Sequence, residues 1–251
     1  MRTDEFLCKK GFFDSRTKAK QAIERGEVFI NGKKILKPAA IICSEEHVEV
    51  ERKCEEAYVS LGGFKLAKAL KDFSLSVNGI CAADIGASTG GFTDCLLKNG
   101  ARKVFAIDLN DELLHQRLKE DSRVVPIIKN AKYLTAEDFS ESPKLIVADL
   151  SFISATLILP VIYRLLSDGD NVVILIKPQF ENDSRKRFKN GIVRDKKVRL
   201  TAVKKVFDCA VAVGFLPKKI TEAPLYKDKN TEYLILMEKG ESAEISFEGF
   251  V

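Results

Sequence analysis

A glycine-rich stretch between an apolar run and a helical pattern is the feature that most constrains the fold of this chain. Residues 84–94 read DIGASTGGFTD, residues 80–83 before them are apolar or small, and residues 92–97 repeat apolar side chains at helical spacing. This order predicts a strand, a tight glycine turn and a helix. Such a turn offers backbone N–H groups to a ligand at the carboxyl end of a strand in an open α/β sheet.

The spacing of the glycines excludes two common nucleotide-binding motifs. Ala87, Ser88 and Thr89 follow Gly86, so the G-x-G-x-x-G fingerprint is absent, and no Lys-Ser or Lys-Thr pair closes a P-loop. The next predicted strand ends at Asp108, where an acid commonly binds ribose hydroxyls. A nucleoside without a phosphate cradle fits this pattern, and S-adenosylmethionine (SAM) is the candidate. The plainer alternative is a turn with no ligand.

Further apolar runs predict the other strands of the sheet. Runs at 124–128, 144–148 and 171–176 alternate with helical patterns around 113–118, 156–166 and 196–213, which is typical of a parallel sheet covered on both faces. Two segments at 218–221 and 232–237 predict a terminal hairpin. The predicted fold is therefore α/β and Rossmann-like. Asn130, after the strand at 124–128, is a predicted neighbour of the adenine.

Charged residues follow abruptly on two of these buried strands. Asp149 follows residues 144–148 and Lys177 follows residues 171–176, whereas Lys65 follows a pair of glycines that predicts a tight turn before a helix. Glu232 stands at the start of the last strand. We expect these four side chains to converge at the carboxyl edge of the sheet. Taken singly, each has a plainer interpretation as a surface or ion-paired charge.

Two lysines and two acids suit methyl transfer to a ribose 2′-hydroxyl. That hydroxyl is a poor nucleophile, and an amine becomes its base when burial and a neighbouring cation favour the neutral form. We assign Lys177 as the base and Lys65 as its cationic neighbour, which also positions the hydroxyl. Asp149 and Glu232 are the orienting acids.

The net charge of +5 belongs to the N-terminal segment. Residues 1–43 hold ten Lys and Arg against five Asp and Glu, and the remainder of the chain is balanced. Two short helical patterns and the turn pair Asn31-Gly32 predict a small α+β module there. A basic module predicts a nucleic-acid partner, although a solvated basic face is the plain alternative. The candidate RNA-binding residues are Arg2, Arg16, Lys18, Lys20, Lys33, Lys34 and Lys37, with Arg185 and Arg187 on a polar loop beside the sheet.

Composition excludes several other classes. The six cysteines form no C-x-x-C pair and the chain has two histidines, so we expect buried thiols and no metal site. The apolar runs are far shorter than a bilayer span, and no apolar signal core follows Met1. These observations predict a cytoplasmic protein. The oligomeric state stays open, with a monomer slightly favoured.

Two resemblances cover almost the whole chain. Residues 2–7, 15–19, 26–33 and 37–38 resemble the S4 RNA-binding domain. The segments 86–93 (GASTGGFT), 149–154 (DLSFIS), 177–181 (KPQFE) and 191–195 (GIVRD) are similar to the TlyA, or haemolysin A-like, family of rRNA 2′-O-methyltransferases with an FtsJ-like domain. The implied domains are an S4-like domain at 1–53, a linker at 54–60 and an FtsJ-like methyltransferase domain at 61–251.

The resemblance implies SAM as the methyl donor, cytidine 2′-O-methylation of rRNA in ribosomal subunits, and a Lys-Asp-Lys-Glu tetrad that maps onto Lys65, Asp149, Lys177 and Glu232. The expected cofactor-binding residues are Asp84, Gly86, Ala87, Ser88, Thr89, Gly90, Gly91, Phe92, Asp108, Asn130 and Asp149.

Three departures from the family pattern remain. Leu61 replaces an arginine before the first lysine, the segment before Glu232 is shortened so that Glu238 is an alternative fourth residue, and Asn130 alone remains of an Arg-Thr-Asn motif.

Three other functions also stay open. These are a non-catalytic RNA-binding assembly factor, a haemolysin, and a base methyltransferase, although residues 149–152 lack the prolines of an amino-methylating motif and a nucleophilic cysteine.

Overall fold

The computed structural model describes residues 1–13, 15–24, 26–42, 47–50, 58–182, 188–226, 229–240 and 245–250. The chain divides into two compact units, Met1–Ala57 and Tyr58–Val251. Most of the predicted linker, residues 54–57, lies outside the described residues, and residues 58–60 belong to the second unit.

The first unit is a small α+β module. Helices α1 (Thr3–Lys9) and α2 (Arg16–Glu24) accompany strands β1 (Val28–Ile30), β2 (Lys33–Ile35) and β3 (Val48–Val50). The strands pair antiparallel in the order β2-β1-β3. Asn31 and Gly32 both have positive φ, 49° and 75°, which confirms the predicted hairpin turn. Leu7, Ile23 and Val28 are fully buried in the core of this unit.

The described part of the second unit holds a seven-stranded mixed sheet. Its strands are β4 (Cys81–Ile85), β5 (Lys103–Asp108), β6 (Val124–Ile128), β7 (Leu145–Ala148), β8 (Asn171–Ile176), β9 (Phe215–Glu222) and β10 (Tyr233–Lys239), in the order β6-β5-β4-β7-β8-β10-β9. Strands β4 to β8 are parallel, and β10 is antiparallel to both β8 and β9. The α/β fold and the terminal hairpin are therefore as predicted.

Helices cover both faces of this sheet. They are α3 (Leu61–Phe73), α4 (Gly91–Lys98), α5 (Gln116–Lys119), α6 (Leu159–Leu165), α7 (Pro178–Glu181) and α8 (Lys196–Val213). Alternate residues of a strand enter opposite cores: Ile146 packs with Phe207 of α8, whereas its neighbour Val147 packs with Leu66 of α3 and Leu96 of α4. Burial of the strands on both faces explains their continuous apolar runs.

Two predicted helices differ in the structure. The pattern at 156–166 divides into a 3₁₀ turn at Ala155–Leu157 and α6, and the pattern at 113–118 gives only the single turn of α5. His115 limits the second helix, because its Nδ1 accepts from the backbone N–H of Arg117 and so caps the helix at that point.

The predicted tight turn at Gly62 and Gly63 is wrong, because both glycines lie within the first turn of α3. A Cβ atom on Gly63 would lie 2.2 Å from the Cγ atom of Tyr58, and one on Gly91 would lie 2.9 Å from the backbone nitrogen of Gly63. The glycines therefore allow α3, α4 and the chain at Tyr58 to approach closely, which also fixes the start of the helix that carries Lys65.

A buried acid joins β4 to α4. Asp84 is fully buried, and its Oδ2 accepts from the backbone N–H of Thr93 at 2.9 Å and from the Thr93 hydroxyl at 2.7 Å. Its Oδ1 has no hydrogen-bond partner among the described residues. Burial raises the pKa of Asp84 to about 7, the hydrogen bond from Thr93 opposes the shift, and the negative charge of Asp149 adds to it.

This shift predicts how stability changes with pH. The native pKa of Asp84 lies above the unfolded value of 3.8. The favourable contribution of this carboxyl to the free energy of unfolding is therefore complete below pH 4 and is lost as pH rises towards 7. The loss is on the order of 4 kcal/mol at pH 7. We expect the free energy of unfolding of wild type, relative to Asp84→Asn, to fall over this range in urea titrations.

Asp121 offers a control with the opposite sign. Its hydrogen bond from Arg123 lowers the pKa of Asp121, so its contribution is present above the unfolded pKa and is lost as pH falls. The stability difference between wild type and Asp121→Asn should therefore shrink in acid. A wild-type to Asp84→Asn difference that stays constant between pH 4 and 7 would contradict the assignment of the raised pKa to Asp84.

Candidate active site

The glycine turn at the end of β4 is tied to its neighbours through backbone contacts. The N–H groups of Gly86 and Ala87 both donate to the carbonyl of Ile107 at the end of β5, at 2.9 and 3.0 Å. Gly86 has φ of 83°, and a Cβ atom on it would lie 2.7 Å from the carbonyl oxygen of Asp149. Only glycine can occupy this position without moving the loop after β7.

Asp108 fixes the other side of the turn. Its Oδ2 accepts from the backbone N–H of Ser88 at 2.8 Å and its Oδ1 from that of Leu109 at 2.7 Å. The strand-end acid and the glycine turn therefore form one structure at the carboxyl edge of β4 and β5. An acid held in this way can accept hydrogen bonds from ribose hydroxyls.

A cavity of about 460 Å³ opens at this edge of the sheet. This volume lies within the range of roughly 300–1,000 Å³ that is typical of small-molecule sites. Five of the predicted cofactor residues line it: Gly86, Ser88, Asp108, Asn130 and Asp149. Apolar side chains complete the walls, among them Ile85, Ile107, Leu109, Leu113, Ile153 and Ile158. Leu109 and Leu113 are mostly exposed at this edge, which leaves apolar surface for a ligand to cover.

The lining fits a SAM molecule. Asp108 suits the ribose, and the apolar walls suit the adenine. The Oδ1 atom of Asp149 is buried and lies 2.6 Å from the Nζ of Lys177. The Asp149 side chain also lines the cavity, so its carboxylate can pair with the amino group of a methionine moiety as well as with Lys177.

The other predicted cofactor residues do not line this cavity. Ala87 lines a smaller adjoining pocket with Ser88 and Asp108. Asp84 lies beneath the turn and acts on Thr93 of α4. Thr89, Gly90, Gly91 and Phe92 form the continuation of the turn into α4, and Gly90 allows Leu118 to pack against it, because a Cβ atom there would lie 2.2 Å from Leu118 Cδ1. Direct contact of these residues with the cofactor stays a prediction.

Four charged side chains form two lysine–acid pairs beside the cavity. The Nζ of Lys65 lies 2.6 Å from Oε2 of Glu232, and the Nζ of Lys177 lies 2.6 Å from Oδ1 of Asp149. The side chains of Lys65 and Lys177 are 17% and 10% exposed. Each lysine is thus paired with its own acid, whereas the sequence predicts two lysines that face one another.

The register of the sheet brings the two pairs together. Tyr233 of β10 lies opposite Ile176 of β8, so Glu232 and Lys177 are the next residues along these two neighbouring strands. Glu238 lies opposite Asn171 at the other end of β8 and pairs with Lys218 at 3.4 Å. The alternative fourth residue, Glu238, is therefore far from the carboxyl edge.

Sequence reasoning missed several residues of this edge. Ser151 accepts a hydrogen bond from the Nζ of Lys177 at 2.8 Å, and it could have been noticed because it stands two residues after Asp149. Phe152 is 90% exposed with φ of 65°, and its ring centroid lies 5.1 Å from that of Phe180. Burial raises the pKa of Tyr226, and the positive charge of Lys65 opposes that shift, so the phenol lies within range of the charge of Lys65. No sequence pattern points to Tyr226.

Three of the candidate RNA-binding residues of the first unit lie close to acidic side chains. Arg2 and Arg16 both pair with the buried Asp4, at 3.0 and 3.3 Å, and the hydrogen bond from Arg2 lowers the pKa of Asp4 to about 2. Lys20 lies 3.8 Å from Glu24. Lys33, Lys34 and Lys37 are exposed, and Lys18 is described only as part of α2. The other two candidates, Arg185 and Arg187, lie outside the described residues.

The close contact at Gly86 gives a prediction with a matched control. Gly79 has a similar φ of 72°, but a Cβ atom there would meet nothing within 4 Å. Gly79→Ala should lose about 1–2 kcal/mol of stability, the cost of left-handed backbone, and keep its SAM affinity. Gly86→Ala must also displace the backbone of Asp149, so we expect its SAM affinity to fall at least about tenfold. Isothermal titration calorimetry measures the SAM affinity of both variants. Equal affinities would show that the turn does not contribute to SAM binding.

Comparison with known proteins identifies the family. The FtsJ-like methyltransferase family matches residues 58–239, and the S4 domain matches residues 1–48. Hemolysin A of Brachyspira hyodysenteriae is 44% identical over 241 residues, which cover 93% of this chain and 98% of that protein. The 16S/23S rRNA (cytidine-2′-O)-methyltransferase TlyA of Mycobacterium tuberculosis is 36% identical over 250 residues, which cover 99% of this chain and 93% of that protein.

A solved structure is similar over nearly the whole length. A candidate hemolysin from Streptococcus thermophilus has a TM-score of 0.76 at 39% identity, covering 96% of this chain and 89% of that chain. None of the helices in the described residues has both the length and the apolar composition of a membrane span, and these residues hold no group of three side chains that could bind a metal ion. The chain therefore belongs to the FtsJ-like methyltransferase family, with an S4 domain at its N-terminus and SAM as its methyl donor.

Proposed function

We propose that this protein transfers a methyl group to the 2′-hydroxyl of a cytidine ribose in ribosomal RNA. The observation that carries this proposal is the pair of lysine–acid contacts, Lys65 with Glu232 and Lys177 with Asp149, beside a cavity that fits SAM. Lysine amines at a cofactor cavity suit deprotonation and orientation of a hydroxyl. The choice of cytidine follows the relatives, whose names include rRNA (cytidine-2′-O)-methyltransferase.

The proposed reaction is a single displacement at carbon. When bound, SAM supplies an electrophilic methyl group on a sulfonium sulfur. For this step the Nζ of Lys177, which is ion-paired with Asp149, would first release one proton to solvent. It would then accept the proton of the 2′-hydroxyl as the hydroxyl oxygen bonds to the donated methyl group, and the electron pair of the broken carbon–sulfur bond would stay on the departing sulfur. Lys65 donates to the same hydroxyl oxygen and positions it. Asp149 and Ser151 hold the Nζ of Lys177, and Glu232 holds that of Lys65.

Positioning supplies much of the expected acceleration. The four tetrad side chains are between 10% and 21% exposed, and each lysine is held by a carboxylate at 2.6 Å. Charged groups restrained in this way at the end of a rigid sheet lose little freedom when the substrate arrives. The glycine turn and the loop after β7 would hold the cofactor and Asp149 in one frame, since the backbone N–H of Asp149 donates to the carbonyl of Ile85, the residue before Gly86, at 3.1 Å.

We propose that the S4 domain provides a surface that binds the RNA substrate. Lys33 and Lys37 are exposed on or after the β1–β2 hairpin, and Arg2 and Arg16 are held in fixed orientations by Asp4. Lysine and arginine side chains neutralise backbone phosphates and give salt-dependent binding. With ribosomal subunits as its substrate, we propose that the protein acts in the cytoplasm.

Two substitutions test whether Lys177 acts as a base or only through its positive charge. Lys177→Ala should lower the rate of methyl transfer by at least about 10²-fold, the typical contribution of a positioned base, and leave SAM binding nearly unchanged. Lys177→Arg keeps a positive charge that cannot be removed near neutral pH, so the base assignment predicts that it is equally inactive. Single-turnover transfer from labelled SAM measures both variants. Substantial activity in Lys177→Arg would show that Lys177 acts through its charge rather than as a base.

The product itself is the direct test of the function. Ribosomal subunits from a strain that lacks the protein would be incubated with labelled SAM and the purified protein. Ribose methylation removes the 2′-hydroxyl that alkaline cleavage requires, so we expect label at an alkali-resistant linkage 3′ to a cytidine. Label in an alkali-sensitive nucleotide would indicate base methylation. Tight RNA binding without any label would indicate an assembly factor.

A third prediction concerns the exposed lysines of the S4 domain. Lys33→Gln/Lys37→Gln should weaken binding to rRNA and make the slope of log K against log salt less negative by about 1.5, because two phosphate contacts are lost. Lys9→Gln/Lys10→Gln removes the same charge from exposed positions at the end of α1. Filter binding between 50 and 200 mM KCl measures the slopes. Equal slopes in the two variants would show that the hairpin is no special RNA contact.

A further inference from the structure

We infer that Arg194, Lys196 and Lys197 form a second contact with the substrate RNA backbone, on the methyltransferase unit and beside the tetrad. We call these three side chains the rim cations. The inference rests on the proposed function and adds to it, because it names where the RNA strand lies as its ribose enters the site. The argument uses the position of the segment, its attachment and its charge.

The connectivity of the sheet places the rim cations at the carboxyl edge. Helix α8 connects β8 to β9, and these two strands run in the same direction because each is antiparallel to β10. The first turn of α8 therefore lies at the end of the sheet where β8 finishes and Lys177 follows. Arg194 precedes this helix, and Lys196 and Lys197 are its first two residues.

Asn230 attaches this segment to the tetrad strand. Its Oδ1 accepts from the backbone N–H of Val193 at 2.7 Å, and its Nδ2 donates to the carbonyl of Gly191 at 2.9 Å. Asn230 stands two residues before Glu232 on the same chain segment. The backbone that presents Arg194 is thus held against the segment that delivers Glu232 to Lys65.

Arg199 makes a second attachment one turn further along α8. Its NH1 group donates to the carbonyl of Arg194 at 2.8 Å and to that of Val193 at 3.2 Å, and its Nε donates to the hydroxyl of Tyr233 at 3.3 Å. Tyr233 lies opposite Ile176, the residue before Lys177. The rim cations are therefore fixed relative to both strand ends that carry the tetrad.

The charge of the rim cations is not neutralised within the part of the chain that the structure describes. All three residues are exposed, they make no ion pair with a described residue, and α8 has no acid in its first turn. Further along the same helix, Lys204 does pair with Asp208. The N-cap acid Asp195 supplies one negative charge among these three cations, so a net charge of +2 remains at the positive end of a long helix, and an external anion stabilises the cluster. A phosphate backbone supplies such anions at regular spacing.

A solvated basic surface is the competing explanation, and a matched pair of variants separates the two. Lys196→Gln/Lys197→Gln removes two rim cations and leaves the cap Asp195 and the tetrad untouched. Lys71→Gln/Arg164→Gln removes two exposed cations from the last turns of α3 and α6. Those turns lead into β4 and β8 and so lie at the opposite edge of the sheet. Both variants change the net charge equally.

The experiment measures binding of protein-free rRNA by filter binding between 50 and 200 mM KCl, together with methylation kinetics on ribosomal subunits. We expect Lys196→Gln/Lys197→Gln to make the salt slope less negative by about 1.5, to raise KM for subunits several-fold, and to leave kcat and SAM affinity within about twofold of wild type. The control variant should keep the wild-type slope and KM. Thermal unfolding of both variants checks that the fold is intact.

The outcomes distinguish this inference from the proposed function. A wild-type slope and KM in Lys196→Gln/Lys197→Gln would overturn the inference, and so would equal changes in the two variants. Failure of wild type to methylate any ribose would instead overturn the proposed function, and the salt slopes would still decide whether the rim cations contact RNA.

Discussion

The pairing of β10 with β8 is the constraint on which the candidate site depends. Their antiparallel register, with Tyr233 opposite Ile176, sets Glu232 and Lys177 next to one another at the end of the sheet. Glu232 then holds Lys65 from α3, and Lys177 contacts Asp149 from the loop after β7. Three strand ends and one helix thus contribute a single charge each. A shift of the register by one residue would place Glu232 on the opposite face of β10 and disrupt this arrangement.

The surrounding structure accounts for the stability of these charges at the edge of an apolar sheet. A buried lysine or carboxylate is costly unless it is paired and hydrogen-bonded. Both lysines are mostly buried and each meets a carboxylate, and Lys177 also donates to Ser151. Asp84, beneath the same edge, pairs with no cation among the described residues, and burial raises the pKa of its carboxyl to about 7. The fold therefore balances its charges where the proposed chemistry requires them, and the acid below them is about half protonated at pH 7.

Much of this arrangement could be predicted from sequence because local patterns determine it. Continuous apolar runs gave the sheet, Asn31-Gly32 gave the hairpin, and abrupt charges after buried strands pointed to Asp149 and Lys177. Contacts between distant segments could not be predicted in the same way. Gly62 and Gly63 predict a turn by composition, yet they serve the close packing of α3 against Tyr58 and α4. Likewise, the approach of Tyr226 to Lys65 and the attachment of Val193 to Asn230 depend on the return of the chain along β10, which no local pattern reveals.

The position of Asp149 links the cofactor cavity to the proposed base. Its side chain lines the cavity, and its Oδ1 lies 2.6 Å from the Nζ of Lys177. The amino group of a bound SAM molecule would therefore share the Asp149 carboxylate with Lys177. The proposed methyl-donor site and the proposed base therefore share one carboxylate, and the backbone N–H of Asp149 donates to the carbonyl of Ile85, the residue before Gly86, at 3.1 Å. This hydrogen bond connects the glycine turn to the acid that contacts the lysine at the end of β8, although the two segments are far apart in sequence.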